Sequence, residues 1–178
     1  MNEVLKAIAD RRSIRSYSQV PVTDEQLEAL VQAAVQSPSA VNRQPYHFTF
    51  VRDPEILKEF TDDFYSIMDP AETKGEYFNV IRGATLVCFI FSEIPGVFTP
   101  VDSGIAVENM ALAAHSMGLG SVILGMPRQL FMTPLRDKWM KILNAPQGGE
   151  YMIAIGIGNP LASKDAHPVR EGLVTILK

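Results

Sequence analysis

Apolar side chains along this chain recur first at helical spacing and then at strand spacing. Val4, Leu5 and Ile8 fall on one side of residues 2–10, a segment that stops at Arg11-Arg12-Ser13. This pattern predicts a short amphipathic helix. Thr23 opens a second helix, with Gln26 three residues on at the spacing of a capping box. Leu27, Leu30, Val31, Ala34 and Val35 form its inner face. Residues 37–45 hold two prolines, two serines and an asparagine and read as a loop. Phe48 to Val51 reads as a short strand. Asp53 and Pro54 suit the cap and first turn of a third helix, whose apolar positions are Ile56, Leu57, Phe60 and Phe64. Pro70 and Gly75 mark 69–76 as a loop, and Pro95, Gly96 and Pro100 mark 93–101 as another. Between them, Thr85 to Ser92 reads as a central strand buried on both faces.

A long helix is predicted from Asp102 or Ser103 to about Met117, ended by Gly118 and Gly120. Glu108, Asn109, His115 and Ser116 fall within a single arc of roughly 100° at 3.6 residues per turn, and the rest is small or apolar. A helix apolar over most of its circumference must be covered on several sides. A domain of this size has few elements for that, so a partner subunit is expected to help. Ser121 to Leu124 reads as a strand, Thr133 to Leu143 as a helix with Trp139, and Tyr151 to Ile157 as another buried strand closed by Gly158-Asn159-Pro160. The tail is polar until Leu173-Val174-Thr175-Ile176-Leu177, a strand with no obvious neighbour in its own chain. Helices with about five strands make an α+β domain.

Composition narrows the picture. The chain has 178 residues, 47% of them apolar, which suits one domain with a real core. A net charge of −4, with the signs interspersed, argues against a nucleic-acid partner. The single cysteine, Cys88, precludes an intramolecular disulfide and reads as a small buried hydrophobe. The first ten residues lack the layout of a signal peptide, and no stretch approaches the ~20 apolar residues of a membrane span. A cytoplasmic protein without membrane contact is expected.

Three segments could carry chemistry. Arg11-Arg12-Ser13-Ile14-Arg15 places three guanidinium groups and a hydroxyl within five residues. Clustered arginines repel one another unless an anion lies between them, and a phosphomonoester carries roughly two negative charges at neutral pH. Arg presents forked donors suited to its oxygens. By composition alone a solvated basic turn stays open. Ser37 to Phe48 offers short polar side chains and backbone amides that could wrap a flat polar ligand, or could simply be a turn. In Gly118 to Pro127, Gly125 allows a ligand close to the backbone. No dinucleotide fingerprint, phosphate-binding P-loop or G-x-S-x-G elbow is present. His47, His115 and His167 lack metal-ligand spacing.

Taken together these segments resemble the nitroreductase family of FMN-dependent oxidoreductases. Four blocks stand in the expected order from Arg11 to about Pro160. They are Arg11-Arg12-Ser13-Ile14-Arg15, Pro38 to Pro45, Asp102 to Met110 continuing to Gly118-Leu119-Gly120, and Ala154-Ile155-Gly156-Ile157-Gly158-Asn159-Pro160. The resemblance implies a nitroreductase-like α+β fold. Its central sheet is mixed but mostly antiparallel and flanked by helices, in an intertwined homodimer with an exchanged C-terminal strand. Residues 1–160 would form the FMN-binding domain, and 161–178 an arm packed on the partner subunit, with two FMN sites at the dimer interface.

By position the resemblance implies that Arg11 and Ser13 hold the phosphate and ribityl end, with Arg12 contributing backbone or side chain, and that Arg15 approaches the N1–C2=O edge of the flavin. Pro38, Ser39, Asn42 and Gln44 would come from the partner. Leu124 and Gly125 match the stretch whose backbone faces the flavin ring, and Asn79 or Arg82 reaches its pyrimidine side. The tail departs from the family pattern, which often carries a Lys/Arg pair soon after the Gly-Asn-Pro block. Here Lys164 is the first choice of phosphate anchor and Arg170 the second. Segments 64–78 and 93–101 would line the acceptor pocket through Phe64, Tyr65, Phe78 or Phe98. The implied activity is ping-pong hydride transfer from NAD(P)H through flavin N5 to a small electron-poor acceptor such as a nitroaromatic or quinone, with no catalytic side chain required. The alternatives are a specialised flavin dehydrogenase or reductase of a biosynthetic intermediate, and a non-enzymatic FMN-binding protein.

Overall fold

The computed structural model describes residues 1–75, 77–94 and 96–177. Four strands make one sheet: β1 (His47–Val51), β2 (Leu86–Ser92), β3 (Gly120–Leu124) and β4 (Glu150–Gly158). Their order is β1-β2-β4-β3, and every pairing between them is antiparallel. The mixed character that was expected is confined to one parallel bridge, between Ser13 and Ser121 on the outer side of β3.

Strand β2 shows why the sheet is two-sided. All seven of its residues are buried. Alternation sends Val87, Phe89 and Phe91 into one core, and Leu86, Cys88 and Ile90 into the other. The first core is closed by α3 (Pro54–Ser66), α6 (Arg136–Ile142) and the turn over 79–84, with Trp139 and Phe60 packed edge to face at 4.8 Å. The second is closed by α2 (Asp24–Val35) and α5 (Thr99–Ser116). Burial pushes the Cys88 thiol well above its ordinary range, as expected for an unreactive core cysteine.

Local rules set most boundaries. Thr23 and Gln26 form both hydrogen bonds of the capping box at α2. Asp53 accepts from the Glu55 and Ile56 amides at the start of α3. Three expectations shift where proline sits. The helix expected from Asp102 or Ser103 begins at Thr99, inside the loop expected over 93–101, with Pro100 in its first turn; residue 95 lies outside the described residues. The loop expected over 69–76 contains a single helical turn, α4 (Pro70–Thr73), because Asp69 caps it and Pro70 suits its first position; residue 76 lies outside the described residues. The helix expected over 133–143 starts at Arg136, after Pro134, and is preceded by a 3₁₀ segment over Met126–Met132.

Two elements bury little in their own chain. Helix α1 (Glu3–Asp10) has no buried residue, and Val4, Leu5 and Ile8 are all more than half exposed. The expected strand over 173–177 does not form within the chain, and residues 161–177 are exposed throughout. A strand needs a partner for its backbone groups, and this one has none among the described residues. No described helix is long and apolar enough to cross a membrane.

Candidate functional site

The arginine turn follows from how α1 ends and how the chain joins the sheet. Arg12 folds its guanidinium back, donating from Nη1 to the carbonyls of Ala9 at 2.7 Å and Arg11 at 2.8 Å, which satisfies the open end of the helix. The Ile14 amide then donates to the Ser121 carbonyl at 2.9 Å, and Ile14 lies flat on Gly120. A β-carbon at residue 120 would sit 3.0 Å from Ile14, so any larger residue would press Ile14 back from the sheet edge. Tyr17 donates its hydroxyl to the Ile14 carbonyl at 2.6 Å and bridges to Pro160. Its burial pushes the phenol above its ordinary range, so it stays a donor.

The tail passes alongside. Leu161 donates its amide to Ser16 at 3.0 Å, and the chain then runs over the turn. There Ala9, Arg11, Arg12, Ser13, Arg15, Lys164, Ala166, His167 and Val169 line a cavity of about 330 Å³ that contains no acidic residue. The Nε atoms of Arg11 and Arg12 are buried without a hydrogen-bond partner. Arg11 Nε lies 3.3 Å from Glu108 Oε1, near enough to pair in charge. Leaving a charged donor unmade is costly, and the side chains that line the cavity are cationic or neutral. Of the two expected tail anchors the structure brings up Lys164, with His167 beside it. Arg170 is exposed and takes no part in the cavity wall.

Arg82 sits next to Arg15. Its pKa is lowered by burial first and by the Arg15 charge second, and its guanidinium lies 4.5 Å from the centre of the Phe78 ring. Arg82 is left-handed at φ 60° in a turn whose Gly83 amide donates to Asn79 Oδ1 at 3.1 Å. Asn79 thus spends its oxygen on that turn and faces a separate cavity with Gln19 and Tyr77. Arg82, rather than Asn79, extends the basic cluster. Leu124 is also otherwise engaged: it is buried, and its carbonyl accepts the Tyr151 hydroxyl at 3.0 Å. Gly125, exposed and with open space around it, is the part of that pair a ligand can reach.

The loop from Pro38 to Gln44 lies elsewhere, at the opening end of α5. The Ala40 amide donates to the buried carboxylate of Asp102 at 3.1 Å. Ser39 Oγ accepts the Gln44 amide at 2.8 Å, and Gln44 Nε2 donates to Asn42 Oδ1 at 3.0 Å. Val41, Asn42 and Gln44 are all left-handed, at φ 49°, 54° and 47°. For a β-branched, 91% exposed valine this is a strained geometry. The arginine turn flanks the other end of α5, against Gly118 to Ser121. From Asp102 to Met117 the helix runs ~22 Å at 1.5 Å per residue. Arg11 reaches along α5 as far as Glu108, and within one chain the cavities at the two blocks share no residue.

Of the aromatic residues expected at an acceptor pocket, Phe64 is corrected. It has no exposed surface and packs in the core, because it lies on the inner face of α3. Tyr65 is half-buried, 5.2 Å from the Tyr77 ring. Phe78 lies under Arg82, and Phe98 is 61% exposed at the start of α5. Sequence reasoning missed Asp102, Tyr151 and Glu108, whose partners are distant in the chain and left no local spacing to find.

Comparison with known proteins fits this arrangement. A family model described as "Nitroreductase family" matches residues 8–159. A protein of Archaeoglobus fulgidus whose name joins NADH dehydrogenase with NAD(P)H nitroreductase is 38% identical over 168 residues, covering 93% of this chain and 90% of its own. The NADPH-flavin oxidoreductase of Vibrio harveyi is 30% identical over 177 residues, covering 94% and 70%. Among solved structures, a nitroreductase with bound FMN from Desulfitobacterium hafniense superposes with a TM-score of 0.89 over the whole of both chains, at 27% identity.

Proposed function

The chain belongs to the nitroreductase family, and from that premise we propose that it is an FMN-dependent NAD(P)H oxidoreductase that works as a homodimer. The observation that carries the reading is the cavity at the arginine turn, whose wall has no acidic residue, where Arg11, Arg12, Arg15 and Lys164 converge and two buried guanidinium nitrogens make no hydrogen bond. A phosphate dianion matches that donor set in charge and in fork geometry. When bound, FMN supplies the relay that takes hydride from reduced nicotinamide and passes it to an electron-poor organic acceptor, the two alternating at one face.

The chain's own residues bind and orient. Arg11, Arg12, Ser13 and Lys164 hold the phosphate end. Arg15 and Arg82 put positive charge at the pyrimidine edge, which favours electron uptake there. Gly125 leaves the ring room at the end of β3. The Pro38–Gln44 loop, held at the opposite end of α5 from the Gly118–Ser121 anchor of the turn, closes the site of the partner subunit with Ser39, Asn42 and Gln44. Three observations support a second copy: the bare apolar face of α1, the exposed apolar tail, and the outer edge of β1, which has no strand beside it among the described residues. The 161–178 arm reaches across, and its Leu173–Leu177 stretch adds a strand to the partner's sheet.

The test is the visible spectrum and mass of the purified protein. A yellow dimer that oxidises NADH or NADPH with a quinone or nitroaromatic is the expected result. A colourless protein that takes up no added FMN would overturn the reading.

A further inference from the structure

A second cavity, of about 330 Å³, opens between the 40–43 loop and the start of α5. Ala40, Val41, Arg43, Gly96, Val97, Phe98, Thr99 and Asp102 line it. Most of its wall is apolar and presented to solvent: Val41 is 91% exposed, Val97 88% and Phe98 61%. One cation lies in it. Arg43 is exposed, and its Nη1 comes within 3.7 Å of where a β-carbon at Gly96 would sit, so the guanidinium reaches across the opening. Among the described residues Arg43 has no carboxylate within 4.0 Å. The acid in the wall, Asp102, is buried with Oδ1 committed to the Ala40 amide. Flat apolar surface beside an unneutralised guanidinium suits a ligand with an aromatic body and an anionic substituent.

We infer that this cavity is an anion-reading subsite, in which Arg43 receives a carboxylate, sulfonate or phosphate on a flat ligand brought to the reaction. The backbone supports the assignment. The left-handed run at Val41, Asn42 and Gln44 turns the loop sharply on either side of Arg43, and Asp102 fixes its start, so the guanidinium is carried on a held loop. The anion could belong to the acceptor or to the nicotinamide donor, whose phosphates carry the same chemistry. Use of the subsite in turnover rests on the proposed flavin chemistry, whereas ligand binding to it does not.

The experiment compares wild type, Arg43→Gln and Arg43→Lys in two arms. In the first, binding of 4-nitrobenzoate and of the neutral, nearly isosteric 4-nitrobenzamide is measured by calorimetry. In the second, KM and kcat are measured for both acceptors and for NADH and NADPH, with bound flavin recorded by absorbance. The expected result is that Arg43→Gln weakens 4-nitrobenzoate at least tenfold and raises its KM in proportion. The benzamide should move less than twofold, flavin content should hold, and Arg43→Lys should recover part of the loss. A rise confined to the KM of the nicotinamide would assign the anion to the donor and keep the subsite. Equal effects on benzoate and benzamide, or no effect on any charged ligand, would overturn it. A colourless protein that still prefers benzoate keeps the subsite and removes the flavin. A yellow protein indifferent to charge does the reverse.

Discussion

The arginine turn and the Pro38–Gln44 loop are both short irregular segments, yet they are stabilised in opposite ways. The turn is fixed through its backbone, by the Ile14–Ser121 hydrogen bond and the close contact with Gly120, and it leaves the buried Nε atoms of Arg11 and Arg12 without a hydrogen bond. The loop ties Ser39, Asn42 and Gln44 to one another and leaves its backbone strained, with one buried carboxylate from α5 holding its start and the Arg43 guanidinium alone left open. The first is an unstrained scaffold carrying a cluster of cations, and the second is a strained scaffold carrying one. Unpaired charge calls for an anionic ligand, whereas stored strain calls for a device that keeps a loop in a fixed shape.

The contrast can be broken at the turn first. Arg11→Ala and Arg15→Ala should each weaken FMN binding by about 10- to 150-fold, the equivalent of about 1.5–3 kcal/mol for a hydrogen bond to a charged group. Lys164→Ala should act in the same sense, and Arg170→Ala should stay within about twofold. Titration of the flavin-free protein with FMN measures all four, and equal losses for Lys164 and Arg170 would remove the tail assignment. Next comes the latch on the loop. Asp102→Ala leaves the Ala40 amide unpaired and should cost about 1–3 kcal/mol in thermal unfolding. Asp102→Asn keeps an acceptor oxygen and should recover most of that loss. If both variants melt alike, the carboxylate does not hold the loop. The smallest effect is at the strain itself. Val41→Asn places a residue that tolerates the left-handed region, and should raise stability by up to about 1 kcal/mol in denaturant unfolding. A loss there would show that Val41 is not strained.

Much of the scaffold was legible because its signals are local. The Thr23–Gln26 box, the Asp53-Pro54 start and the apolar run of β2 each follow from neighbours within a few residues, and the four family blocks named the basic turn. What stayed hidden depends on distance. Nothing near Asp102 in sequence indicates that its carboxylate holds Ala40, 62 positions away. Nothing near Leu124 indicates that Tyr151 occupies its carbonyl. Phe64 sits at a good helical period, but periodicity places a residue on an inner face without saying whether that face lines a core or a pocket. The five-residue apolar run at the C-terminus had the composition of a strand, and composition carries no information about which chain supplies the pairing.

Gly120 shows how far a missing atom can reach. It carries no charge, yet the hydrogen in place of a methyl lets Ile14 settle on the sheet edge, in the turn that also carries Arg11, Arg12 and Arg15. A mutational scan scored by loss of the proposed cofactor is expected to rank this position with Arg11 and Arg15. On that outcome, membership of the site, judged by phenotype, extends to a residue that contributes the volume it does not fill.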